Sequence, residues 1–167
     1  MLNTNYRKGN ILSLASAFDD IGGDFLLMNA DHIYPRRMLP KIIPTGDSIT
    51  AICDFDRPLG TDDMKVKLSP ERTISKISKT LTEYDCGYIG MTYCPSSKLS
   101  IYKQAFKSVL ETDGDTSNVE RILGRLAEDG EKIQICDASG FGWLEVDTPD
   151  ELHAAEKKLA ENPDLLL

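Results

Sequence analysis

The chain is short of the residues that most site chemistries lean on. It has 2 histidines, 1 tryptophan and 4 cysteines in 167 residues. Cys53, Cys86, Cys94 and Cys136 show no Cys-x-x-Cys spacing and lie in or beside strand-like runs. They read as buried reduced thiols, which argues against both a zinc cluster and a disulfide framework. Positive charge is also scarce: 19 Lys and Arg against 27 Asp and Glu leave a net charge of -8. A surface that binds nucleic acid by neutralising phosphates is therefore not expected. No apolar run approaches membrane-spanning length and the N-terminus has no signal-peptide core, so a cytoplasmic protein is expected. Internal repeats, low-complexity tracts and linkers are missing as well, and the length suits one domain with a real core. What remains is ordinary for a globular chain, 41% hydrophobic and 28% charged, with Lys76, Lys79, Arg121 and Arg125 available to a small phosphorylated ligand.

The stretch that organises the rest is Phe25-Leu26-Leu27-Met28-Asn29-Ala30-Asp31-His32-Ile33-Tyr34. Such an apolar run reads as a strand buried on both faces of a mostly parallel, helix-covered sheet. Asp31 then stands at the C-terminal end of that strand, beyond which open α/β sheets bind ligands. Its alternative role is to cap the next turn. A second stretch, Gly142 to Leu152, runs Glu145 and Asp147 directly into a helix. Thr148 suits the N-cap, Pro149 the first helical position, and Glu151 completes a capping box. Asp31 from the first third and Glu145 and Asp147 from the last could meet over the sheet edge and hold magnesium through oxygen.

In chain order, the spacing predicts a helix over Ile11–Phe18 with Asn10 as its cap, the Phe25–Ile33 strand, and a short helix from Pro35 to about Ile43 that Pro40 weakens. Residues 48–56 read as a second buried strand. Met64–Leu68 and Thr73–Ser78 read as an antiparallel hairpin about the turn 69–72. Another strand is expected at 86–93, its glycines marking close backbone approach or a bulge. A helix over 96–111 follows, and then one from Ser117 to about Glu128 with a Ser117/Glu120 capping box. Strands at 132–136 and 143–146 and a last helix over 149–160 complete the chain. His32 reads as a packed neighbour of the site, Trp143 as core, and Arg36 and Arg37 as a solvated helix face.

Four motifs in order carry a resemblance: Gly9-Asn10-Ile-Leu-Ser13-Leu14; Ala30-Asp31-His-Ile-Tyr; Lys79 followed by Glu83-Tyr84-Asp85-Cys86 and Gly90; and Trp143-Leu-Glu145-Val-Asp147-Thr-Pro. Together they are similar to the sugar-phosphate nucleotidyltransferases, in particular the branch of inositol-1-phosphate and choline-phosphate cytidylyltransferases. The resemblance implies a Rossmann-like, doubly wound α/β domain with a mixed sheet. It implies transfer of a nucleoside monophosphate from a nucleoside triphosphate, CTP favoured, to a sugar- or alcohol-phosphate, with release of pyrophosphate. It implies Asp31 as a catalytic magnesium ligand, with Asp147 or Glu145 as the second, and Lys79 on the acceptor phosphate. Asn10, Ser13 and Ala30 fall where the nucleotide lies, and Tyr84, Asp85 and Gly90 where the acceptor lies. Such transfer runs on positioning and charge stabilisation, and a phosphate acceptor needs no general base, which fits a chain so poor in histidine.

One departure from that family stands out. Its N-terminal strand and Gly-rich triphosphate loop have no counterpart here, since Gly22-Gly23 and Gly140-Phe-Gly142 lack the pattern. The expectation is a single domain over 1–167 corresponding to the C-terminal two-thirds of the family's domain, and lacking its N-terminal third. It would be a truncated product, a naturally shortened protein, or one half of a split enzyme. The alternative function is a non-catalytic subunit that binds a phosphorylated metabolite or a partner chain. Loss of that third would expose an edge and apolar surface at the Phe25–Ile33 strand, so a homo-oligomer or a missing N-terminal partner is expected to cover it.

Overall fold

The computed structural model describes residues 2–42 and 46–166. Its centre is β6 (Cys86–Cys94), whose nine residues are all buried. On one side β6 pairs with β3 (Thr50–Asp54), and β3 in turn pairs in parallel with β7 (Gln134–Asp137). On the other side two strands share its length. β4 (Lys65–Leu68) takes Cys86 and Gly87 and leads to β5 (Ile74–Ser78), while β1 (Phe25–Met28) takes Met91 to Cys94. All pairings of this sheet other than β3 with β7 are antiparallel.

Period-two alternation sends these strands into two cores. Ala51, Cys53, Cys86, Tyr88 and Cys94 face the larger one, against Ile11 and Leu14 of α1 (Ile11–Ala17), Tyr102 and Phe106 of α3 (Leu99–Thr112), and Ile122 and Leu126 of α4 (Glu120–Glu128). Ile52, Ile89 and Met91 face the smaller one, with Met38, Ile42 of α2 (Leu39–Ile42), Ala138 and Trp143. Helices thus cover both faces of a mixed sheet, as a doubly wound fold requires.

Several sequence expectations are shortened or redirected. The strand expected over Phe25–Ile33 ends at Met28, and its second part is a separate two-residue strand, β2 (His32–Ile33), paired with β8 (Leu144–Glu145). β1 is not buried on both faces: Phe25, Leu26 and Leu27 are half-buried and Met28 is exposed, and β1 is an edge strand that pairs antiparallel with β6, with nothing on its other edge among the described residues. The helix expected from Pro35 becomes one 3-10 turn, Arg36–Met38, and then α2; Ile43 lies outside the described residues. Arg37 is not merely solvated, because its guanidinium donates to the Phe141, Asp164 and Leu165 carbonyls. The capping box expected at Ser117 does not form, and α4 starts at Glu120 with no side-chain cap of its own. The box at Thr148 and Glu151 does form and opens α5 (Pro149–Glu161).

Asn10 explains the missing cap. Its Oδ1 accepts from the Val119 backbone N–H at 2.8 Å, so the side chain expected to cap α1 ties the start of α1 to the start of α4. The approach is close enough that a Cβ on Gly9 would lie 1.9 Å from the Ser117 carbonyl oxygen, leaving no room for any side chain there.

Candidate active site

The site is assembled by a bulge in β6. Opposite Ile52 and Cys53 of β3 stand Met91 and Tyr88, so Ile89 and Gly90 are extra. Gly90 takes φ +75°, a left-handed conformation that glycine adopts without penalty. The bulge turns two carbonyls out of the ladder. That of Gly90 accepts from the Asn29 N–H at 2.9 Å. That of Ile89 accepts from the Tyr34 hydroxyl at 2.7 Å and lies 3.0 Å from His32 Nδ1. Burial raises the Tyr34 hydroxyl well above its ordinary range, helped by the charges of Asp31 and Glu145, so it remains a donor.

His32 stands at the centre of this arrangement, its side chain only 6% exposed. Its Nε2 lies 3.2 Å from Glu145 Oε1 and 3.7 Å from Asp31 Oδ1, and its ring stacks on Trp143 with centroids 4.9 Å apart. Arg57 covers the Trp143 ring at 4.1 Å and reaches Glu145 Oε2 at 3.8 Å. The Trp143 Nε1–H donates to Asp54 Oδ2 at 3.0 Å, while Asp54 Oδ1 accepts from the Asp56 and Arg57 N–H groups. Burial pushes the Asp54 carboxyl up, but the donors from Asp56, Trp143 and Arg57 outweigh it and hold it below its ordinary value.

β2 and β8 bring together residues more than a hundred positions apart. His32 stands opposite Glu145, and the Val146 N–H donates to the Asp31 carbonyl at 2.9 Å. Asp31 is half-exposed and Asp147, one residue beyond Val146, is exposed. Beside them lies a small cavity of about 70 Å³, lined among others by Asn29, His32, Lys79, Gly90, Glu120 and Glu145. Lys79 Nζ donates to Asp62 Oδ1 at 2.7 Å on its rim. Glu120 is 7% exposed. Burial raises its carboxyl above the ordinary range, against its own backbone N–H, the Asn29 side chain and the charges of Lys79 and His32. On the other side of Asp31 a groove of about 530 Å³ runs between α1 and the free edge of β1, lined by Asn10, Ser13, Ala30 and Asp31 together with apolar side chains.

Solved structures share this architecture. The inositol-1-phosphate CTP transferase from T. maritima aligns over 98% of this chain and 64% of its own, at a TM-score of 0.76 and 18% identity. The fold is that of a nucleotidyltransferase. The CTP:phosphocholine cytidylyltransferase from Streptococcus pneumoniae shares it at a TM-score of 0.70 and 12% identity, over 94% of this chain and 67% of that one. In sequence the chain is similar to the bifunctional IPC transferase and DIPP synthase of Thermococcus kodakarensis, 29% identical over 163 residues, and to that of Aquifex aeolicus, 29% identical over 164. Each of those matches covers 95% of this chain and 34% of the relative, so the chain spans about a third of the length of the curated relatives it matches. No protein-family model matches. The resemblance read from the four motifs is thus borne out in sequence and in fold.

On this nucleotidyltransferase fold the residues singled out by sequence divide into three groups. Asp31, Glu145, Lys79 and Gly90 gather around His32 and the small cavity, with Asp147 just beyond the β2/β8 bridge. Asn10, Ser13 and Ala30 share the groove with Asp31. Tyr84 and Asp85 face other partners: the Tyr84 ring lies 5.9 Å from Lys65 Nζ, and Asp85 accepts from Lys67 Nζ and the Leu68 N–H. The sequence reading missed Asn29, Asp54, Arg57, Asp62 and Glu120. Only Glu120 carried a signal, and its place three residues after a serine pointed to a cap instead of a cavity wall.

Proposed function

We propose that the chain is a cytidylyltransferase domain, or the C-terminal two-thirds of one, that transfers CMP from CTP to a phosphorylated alcohol and releases pyrophosphate. The observation that carries this is the convergence of Asp31, Lys79 and the Glu145/Asp147 strand end between a groove and a polar cavity, on a nucleotidyltransferase fold. Asn10, Ser13 and Ala30 would hold the nucleoside in the groove. Lys79 would exchange its Asp62 partner for the acceptor phosphate, while Tyr84 and Asp85, which the resemblance assigns to the acceptor, would shape its approach from further out. A cytoplasmic location fits this reading, and among the described residues no helix is long and apolar enough to cross a membrane.

The proposed metal is magnesium. Among the described residues no three His, Cys, Asp or Glu side chains gather to hold a cation. Magnesium asks for less, since it is commonly held by one or two carboxylates, water and substrate phosphates. Asp31 and Asp147 suit that role because both are exposed at the site. Glu145, engaged by His32 and Arg57, suits the role of a strut that orients the bridge. When bound, the ion would neutralise charge on the triphosphate. The chain's own residues fix where the acceptor phosphate lies and keep the Lys79 ammonium beside it.

The test is calorimetric titration of CTP, then UTP, with magnesium into the wild-type chain and Asp31→Ala. The expected outcome is micromolar CTP binding lost in the variant. No heat from a demonstrably folded wild-type chain would leave the second reading, a non-catalytic subunit or half of a split enzyme. That reading is favoured by the edge of β1 that stays unpaired among the described residues, which a strand from a partner would cover.

A further inference from the structure

Resting on the cytidylyltransferase reading, we infer that Asp54 is a positioning residue: through the Trp143 indole it holds His32 and Arg57, and with them the Glu145 carboxylate, in place beside Asp31. Asp54 closes β3, all five residues of which are buried. Trp143 lines both the small cavity and a second groove of about 580 Å³, whereas Asp54 reaches only the groove. It therefore meets no ligand in the cavity and acts there only through the indole.

A buried carboxylate is costly unless donors surround it. Asp54 has three. Its Oδ1 accepts from the Asp56 N–H at 2.9 Å and the Arg57 N–H at 3.2 Å, and its Oδ2 from Trp143 Nε1–H at 3.0 Å. The first two bend the chain after β3, which brings the Arg57 guanidinium over the indole at 4.1 Å. The third fixes the plane of that indole, on which His32 stacks at an interplanar angle of 28°. His32 and Arg57 then take different oxygens of Glu145: His32 Nε2 lies 3.2 Å from Oε1, and Arg57 Nη2 lies 3.8 Å from Oε2. His32 also stands 3.7 Å from Asp31. A rotated indole would displace both holds on Glu145 together.

Asp54→Asn separates this role from packing. The amide keeps the shape but has one acceptor oxygen in place of two. With that oxygen toward the indole, its NH2 faces the Asp56 and Arg57 N–H groups; with the oxygen toward those, the NH2 faces Nε1–H. Either orientation releases one of the two holds. In a Trp143→Phe background the second orientation leaves no clash of donors, so the effect of Asp54→Asn should vanish there.

The experiment compares wild type, Asp54→Asn, Trp143→Phe, the double variant and Ile52→Val, each shown to be folded by circular dichroism. Ile52→Val trims the same small core without touching these bonds. The first readout needs no ligand: with only 2 histidines in the chain, the ring protons of His32 are resolved by NMR from those of His153. Asp54→Asn is expected to shift the His32 ring and leave His153 in place. The second is calorimetric titration of CTP with magnesium, expected to be about tenfold weaker in each single variant, no weaker still in the double variant, and unchanged in Ile52→Val. An unmoved His32 ring in Asp54→Asn, losses that add in the double variant, or an equal loss in Ile52→Val overturns the inference. A shifted His32 ring in a chain whose wild type binds no CTP strikes the cytidylyltransferase reading and leaves the relay standing. Neither shift nor binding overturns both.

Discussion

Because burial raises the Glu120 carboxyl above its ordinary range, its charge opposes folding once the pH exceeds that range. The native state then binds more protons than the unfolded chain, so stability falls as pH rises from about 4.3 through the native value. Glu120→Gln is therefore expected to raise the melting temperature at pH 7 by a few degrees, a gain that fades on acidification toward pH ~4. A carboxylate held merely by the amino end of α4 would lose stability on the same change, and thermal unfolding at both pH values distinguishes the two. Asp54 has the opposite sign. Its carboxyl is held low, so its contribution is present above about pH 4 and lost as pH falls through the native value. Trp143→Phe removes one of its three donors and should cost roughly 1–3 kcal/mol in denaturant unfolding at neutral pH, with the deficit shrinking in acid.

At the scale of elements, the site depends on the irregularity of β6. Only the bulge frees the Ile89 and Gly90 carbonyls to hold His32, Tyr34 and Asn29. A Cβ at Gly90 would come 2.8 Å from the Asn29 side chain and 2.9 Å from His32 Cε1, on a left-handed backbone. Gly90→Ala is expected to cost about 1–3 kcal/mol and to weaken ligand binding more than Asp85→Ala does, as titration of the two variants would show. The order of strands and helices was legible from periodicity, turn residues and caps, and the bulge from glycine in a strand. The break after Met28 was not: Asn29 to Asp31 follow an apolar run without proline or glycine, and the β2/β8 pairing comes from a partner more than a hundred residues away. Arg57 and Asp62 were invisible for a similar reason, since their loop is positioned by Lys65, whose buried ammonium donates to the Gly60 and Lys79 carbonyls.

For the whole molecule, the free edge of β1 is the main liability. Met28 is 40% exposed there, above a groove lined by Leu27 and Phe25, and an unpaired strand edge beside apolar surface invites another strand. Sedimentation at tens of micromolar is expected to show association that Met28→Lys reduces, whereas a strictly monomeric wild type would count against an open edge. The β2/β8 bridge carries a consequence of its own. It joins residues 32 and 33 to residues 145 and 144 through two residue pairs, a ladder so short that it can open while the central sheet still holds β1 and β7 in place. Such a clasp forms late and opens first, at a free energy well below that of global unfolding. In hydrogen exchange the Val146 amide should lose its proton long before those of β6, so the arrangement around His32 would dissolve and reform many times while the central sheet stays folded.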